Sequence, residues 1–311
     1  SSFQEMTNVT AVLEFRLLGF SSNPHSQILL FTVFLVIYIL TILGNIIIIS
    51  VVTLEPQLHA PMYKFLKNLS FLEVCYTTTI VPKMLADLLG KRKSISFSGC
   101  MAQLYFFISL GATECYLLSV MAYDRFLAIC EPLHYVVTMT PESYTRLAVG
   151  SWVTGVITGF LPCLMVSRLS FCSYNLIDHF FCDILPLLKL SCSDTTLAET
   201  VIFILSLLVL SSCFLTILVS YLLIVQSILK IPSASGKRIT FSTCSSHLMV
   251  VTIYYSTMIS MYVRPTYNLS SDLSKAVSVL YTVVTPLLNP VIYSFRNKAF
   301  KKALGKIVLR Q

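Results

Sequence analysis

The chain has 311 residues, 56% hydrophobic and only 12% charged, with a net charge of +8 and a mean hydropathy of +0.80. A soluble domain carries about 25% charged residues, so this composition excludes an ordinary water-facing surface and makes lipid the expected solvent. No long basic block and no alternation of basic with aromatic residues suits a nucleic acid.

Residues 1–26 form a short polar lead. Residues 28–52 follow without a charge. This run exceeds the roughly 7–15 apolar residues of a signal peptide and reads as a first span rather than a cleavable signal. A second span lies within 62–85 and carries Glu73; a third, 97–123, carries Glu114. Four more runs, 147–167, 200–229, 239–263 and 276–295, hold no Asp, Glu, Lys or Arg. A spanning helix needs roughly 20 mostly apolar residues, and open backbone cannot face hydrocarbon. The expected fold is therefore all-α, a seven-helix transmembrane bundle over residues 27–296. In the closing segment 297–311, Phe300, Leu304, Ile307 and Val308 share one helical face, while Lys298, Lys302 and Lys306 lie on another. That pattern predicts an amphipathic helix on the inner membrane surface.

With the N-terminus outside, 13 of the 22 Lys and Arg residues fall on inner segments, which favours an N-out, C-in orientation despite Lys91, Arg92 and Lys93 in the first outer loop. Cysteines give an independent indication. Four of the ten, Cys100, Cys172, Cys182 and Cys192, fall on the predicted outer side, an oxidising space where an even set forms disulfides, with three pairings open. The other six lie in apolar helices as small buried hydrophobes. Asn8-Val9-Thr10 is a glycosylation sequon in the outer lead. A transporter or channel would show inverted repeats or broken half-helices, and none is evident. The motifs of metalloproteases, serine hydrolases and P-loop enzymes are missing, so no enzyme is expected.

Several strings carry a family resemblance. They are Gly44-Asn45, Pro61-Met62-Tyr63 with Leu69-Ser70, Met121 through Cys130 (MAYDRFLAIC), Pro132-Leu133-His134-Tyr135, Ser220-Tyr221, Phe241 through Leu248 (FSTCSSHL), and Pro286 through Tyr293 (PLLNPVIY). In this order, each at its own span, they resemble the odorant receptors, class II, within the rhodopsin-like G-protein-coupled receptors. Glu73 stands where the family usually has Asp, Phe126 replaces a common Tyr, and Lys237-Arg238-Ile239-Thr240 varies the usual lead into the sixth span.

The resemblance implies a receptor in the plasma membrane of sensory cilia, binding a small odorant and activating a stimulatory G protein that raises cyclic AMP. It implies disulfides Cys100–Cys182 and Cys172–Cys192. Asp124 and Arg125, with Tyr221 and Tyr293, become the switch that meets the G protein. Asn45, Glu73, Glu114 and Asn289 become a sodium site; hydrogen-bonded, protonated acids are the other reading of that cluster. The pocket is expected from Phe107, Ile108, Gly111 and Ala112 on the third span, and Leu205, Ser206 and Val209 on the fifth. The sixth would add Tyr255, Met258, Ile259 and Tyr262, and the seventh Val279 and Thr282. This set holds no charge, so the ligand expected is small, neutral and mostly apolar. The rival function is a multi-span transporter or channel with a buried carboxylate cation site.

Overall fold

Each apolar run lies in helical structure, and most helices extend past the run at one or both ends. The computed structural model describes residues 12–20, 23–90, 93–172, 175–262 and 271–309, without the side chains of residues 239, 243, 261, 262, 271, 294–296, 298, 308 and 309. Asn8 and Arg92 thus lie outside the described residues, as does the Tyr262 side chain. The helices are α1 (Pro24–Leu54), α2 (Pro61–Leu89), α3 (Phe97–Cys130), α4 (Pro132–Thr138), α5 (Pro141–Ser167), α6 (Ile184–Leu190), α7 (Thr196–Lys230), α8 (Ala234–Tyr262), α9 (Ser271–Val279), α10 (Thr285–Arg296) and α11 (Lys298–Leu309). A π-helical turn, Leu280–Val284, joins α9 to α10.

Among the described residues, five segments are long and apolar enough to cross a membrane: α1, α3, α5, α7 and the run Asp272–Tyr293. The helices α2 and α8 occupy the other two expected spans at 29 residues each, but are more polar. Much of that polarity faces the bundle. Ser70, Glu73 and Thr77 of α2 are buried, as are Ser246, His247 and Thr257 of α8. In the most apolar window of each helix, 61% of α3 is buried but only 17% of α7, so α3 is the central post and α7 turns its apolar surface outward to lipid.

Close approach to α3 depends on missing side chains. A Cβ at Gly155 of α5 would fall on the Thr113 hydroxyl, and one at Gly159 on that of Ser109. Thr140 caps α5 by accepting from the Ser143 N–H at 3.3 Å, and Ser96 caps α3 by accepting from the Gly99 N–H at 3.1 Å. In α11, Phe300 and Ala303 are buried against the bundle while Lys301 and Lys302 are exposed, an amphipathic helix as the spacing predicts.

No sheet is expected from the sequence, yet one covers the end of the bundle expected to face outward. The strands β1 (Glu14–Leu17), β2 (Ser94–Ser96) and β3 (Leu176–Ile177) form it, with β1 in the middle, antiparallel to β2 and parallel to β3. Strands this short carry too little alternation to be recognised, and their pairing is set by chain segments far apart in sequence. Inside the sheet, Phe15 stacks edge-on against Phe171 at 5.2 Å between ring centroids. Gly19, at φ 68°, lets the chain turn from β1 toward α1.

Candidate functional site

A cavity of about 80 Å³ lies beneath this sheet, between α3, α5, α7 and α8. From α3 come Phe107, Ile108, Gly111, Ala112 and Cys115, spaced as one inward helical stripe. From α7 come Leu205, Ser206 and Val209, and from α8 Tyr254 and Met258. Thr158 and Pro162 of α5 and Tyr76 of α2 complete much of the wall; no family position pointed to them. Pro162 frees a backbone group inside α5, the one local signal that could have marked that helix.

Several expected pocket residues sit elsewhere. Ile259 is 48% exposed on the outer face of α8, one residue around the helix from inward-facing Met258. Tyr255 is buried below the wall, its hydroxyl 3.1 Å from the Cys115 thiol, and Tyr254 takes the wall position. Thr282 is fully buried in the π-helical turn and donates to the Ser278 carbonyl at 2.7 Å. The extra residue in that turn rotates Val279 and Thr282 out of the expected phase, and neither lines the cavity. Of the cavity hydroxyls, Tyr254 donates to the Gly111 carbonyl at 2.7 Å and Thr158 to the Thr154 carbonyl at 2.7 Å. Ser206 has no hydrogen-bond partner among the described residues, which leaves its hydroxyl for a ligand.

The second outer loop closes the cavity from above. Cys100 is bonded to Cys182 and Cys172 to Cys192, with Cα atoms 5.5 and 5.8 Å apart. Gln103 of α3 accepts from the Cys182 N–H at 2.9 Å, and Phe181 packs edge-on against Phe107 at 5.0 Å. His179 stacks on Phe180 at 4.7 Å and reaches Ser278 at 3.2 Å. Burial, with the nearby Lys275 charge, pushes the His179 imidazole down to about 3. Lys275 is held 2.7 Å from Asp178. Asp183, which caps α6 by accepting from the Ile184 N–H at 2.7 Å, is pushed up to about 6 by burial.

The four polar residues singled out in the sequence lie on α1, α2, α3 and α10, with Asn289 bonded to Glu73 and Glu114 close enough to feel the Glu73 charge. Asn289 donates to one oxygen of Glu73, and Asn45 donates to the Thr41 carbonyl at 2.9 Å and the Pro286 carbonyl at 3.4 Å. Glu73 Oε2, Glu114 Oε1, Asn45 Oδ1 and Asn289 Oδ1 are buried without a partner among the described residues. Four orphaned oxygens suit a hard cation or added protons. Among the described residues, no three His, Cys, Asp or Glu side chains form a metal-ligand cluster.

At the opposite end of the bundle, the one expected to face inward, Asp124 accepts from the Tyr135 hydroxyl of α4 at 3.0 Å. Among the described residues no partner meets the Arg125 Nε, and the Tyr293 hydroxyl is likewise buried and unpaired. Tyr221 bonds His247 Nδ1 at 2.6 Å, joining α7 to α8. Tyr135 and His247 lay inside strings noted in the sequence but had no role assigned, because their partners are fixed only by helix packing.

A family profile described as "Olfactory receptor" matches residues 34–311. The chain is 60% identical to human olfactory receptor 11L1 over 99% of its length and 95% of that relative. It is 49% identical to human olfactory receptor 6N1, over 97% of each chain, and 48% identical to mouse olfactory receptor 6B9, over 97% of this chain and 96% of that one. The chain belongs to the olfactory receptor family. It is accordingly a multi-pass membrane receptor for small-molecule odorants that signals through G proteins, and not an enzyme.

Proposed function

We propose that this olfactory receptor binds a small, neutral, mostly apolar volatile in the cavity between α3, α5, α7 and α8 and activates a stimulatory G protein that raises cyclic AMP. The observation carrying the ligand class is the cavity wall itself: aromatic and aliphatic side chains, no charge, and one uncommitted hydroxyl on Ser206 to orient a polar atom. In this reading seven helical spans cross the plasma membrane of sensory cilia, with the N-terminus and an Asn8 glycan outside and α11 on the inner surface. The direct test is odorant-stimulated cyclic AMP in cells with and without the stimulatory G protein. A response that persists undiminished in cells lacking it would overturn the coupling.

The cluster of Asn45, Glu73, Glu114 and Asn289 would hold a sodium ion that favours the resting state. Four buried oxygens without a partner among the described residues, two of them on the bonded pair Asn289 and Glu73, support it. Bound sodium would supply the positive charge that lets Glu73 and Glu114 remain ionised beside one another. By linkage, sodium should lower agonist affinity, and Glu114→Gln should weaken that effect. Agonist binding indifferent to sodium in the parent receptor leaves the protonated-acid reading instead.

A further inference from the structure

Two cysteines at the floor of the cavity have no part in the mechanism above. Cys115 lies near the middle of α3 and lines the cavity. Cys213 of α7 is its neighbour across the α3–α7 contact, and the two thiols interact electrostatically. Both residues are buried, at 1% and 4% exposure. The Ser119 hydroxyl donates to the Cys115 carbonyl at 3.0 Å and to the Cys213 carbonyl at 3.2 Å, tying the two backbones at the level of the thiols. The Tyr255 hydroxyl lies 3.1 Å from the Cys115 sulfur. An isolated buried cysteine behaves as a small hydrophobe. Here two thiols from different helices meet each other and a phenol, with one of them open to a cavity.

We propose that Cys115 and Cys213 form a thiol-exchange site that takes small neutral organic disulfides through the cavity. The Cys115 sulfur attacks one sulfur of the disulfide R–S–S–R. A Cys115–S–S–R bond forms, the original S–S bond breaks, and the first R–SH leaves with the Cys115 proton. The Cys213 sulfur then attacks Cys115 in the same way, closing a Cys115–Cys213 disulfide, and its proton leaves with the second R–SH. Two protein thiols are oxidised, one external disulfide is reduced to two thiols, and no other reagent is needed. Reactants and products are neutral, and negative charge is confined to the attacking sulfur during each exchange, its proton passing to the leaving sulfur. The apolar surroundings exclude glutathione, a charged peptide, while admitting a volatile disulfide. The product would tie α3 to α7 across the cavity floor.

The test uses dipropyl disulfide on the full-length receptor in membranes, with n-octane as the apolar control of matching chain length. After blocking free thiols, non-reducing peptide mass spectrometry should find a Cys115–Cys213 link in the parent, reversed by dithiothreitol and missing after octane. Cys213→Ser should instead retain a propylthio group on Cys115, and Cys115→Ser should form no link. Cys213→Ala serves as a second trap if the serine variant fails to reach the membrane. A parent receptor without the link, or a well-expressed Cys213 variant without the propylthio group on Cys115, overturns the proposal. The inference depends on the cavity and not on its being the odorant site, so its failure would leave the cyclic AMP test untouched.

Discussion

The two ends of the bundle are held in different ways. The outer end is closed by two disulfides, a three-stranded sheet and packed rings from Phe20, Phe180 and Phe181. The inner end rests on individual side-chain hydrogen bonds, Tyr135 to Asp124 and Tyr221 to His247, beside buried groups with no partner among the described residues, Arg125 Nε and Tyr293 Oη. A buried polar group left unpaired costs about 1–3 kcal/mol, so any arrangement that pairs it is favoured. The contrast teaches where motion can arise. Covalent and backbone ties keep the cavity roof fixed, whereas the inner end has unsatisfied groups to reward a rearrangement. Pro290 in α10, which removes a helical hydrogen bond, lies on the way to that end.

The largest effect should come from breaking the outer tie. Loss of a native disulfide typically costs about 2–4 kcal/mol, so Cys100→Ser should sharply reduce delivery to the cell surface, measured by surface labelling. Normal surface levels would mean that the sheet and rings hold the roof without the bond.

Breaking the inner end should leave folding almost unchanged and alter signalling. Arg125→Ala should abolish odorant-driven cyclic AMP, normalised to surface receptor, while binding stays largely intact. Asp124→Asn should raise basal cyclic AMP modestly, because it weakens a resting contact and coupling energies are about 1–3 kcal/mol. In the structure Asp124 accepts from the Tyr135 hydroxyl, with the Arg125 charge beside it. A full odorant response from a well-expressed Arg125→Ala receptor would remove the inner end from the mechanism.

The smallest effect concerns pH at the roof. His179 is pushed down to about 3, chiefly by burial, so as pH falls through its unfolded value near 6.5 the unfolded chain takes the proton and stability is lost. Asp183 is pushed up to about 6 by burial, so the folded state takes a proton there first and gains stability as pH falls toward the unfolded value of 3.8. Between pH 7 and 5 the two contributions oppose each other, each on the order of 1–2 kcal/mol. His179→Gln removes the destabilising one. Its melting temperature should therefore fall less on acidification than that of the parent, or rise. Parallel curves for both proteins would show that His179 does not titrate in this way.

Composition and spacing made the helices legible, because lipid demands long apolar runs and satisfied backbone, and both demands are written locally. The polar residues at depth were legible for the same reason: Glu73, Glu114, Asn45 and Asn289 are conspicuous in apolar runs, and the structure bonds Asn289 to Glu73. The pairing of Cys100 with Cys182 and of Cys172 with Cys192 was not derivable from spacing, which left three pairings open; family resemblance supplied it. The cavity was partly legible. The α3 positions that the resemblance implied line the cavity, whereas Val279 and Thr282, beside the π-helical turn, do not.

By itself, then, the sequence determined that this chain lives in lipid, where its apolar helices run, which residues are polar at depth, and which family it resembles. Only the tertiary structure decided that β1 pairs with both outer loops, that Tyr254 rather than Tyr255 faces the cavity, that Tyr135 meets Asp124, and that Cys115 meets Cys213. The physical reason is the range of the interactions. Partition into lipid acts on each segment separately and leaves its mark in local composition. Contacts between helices depend on the rotation and depth of two distant segments at once, and a shift of one residue, about 100° around a helix, exchanges one partner for another.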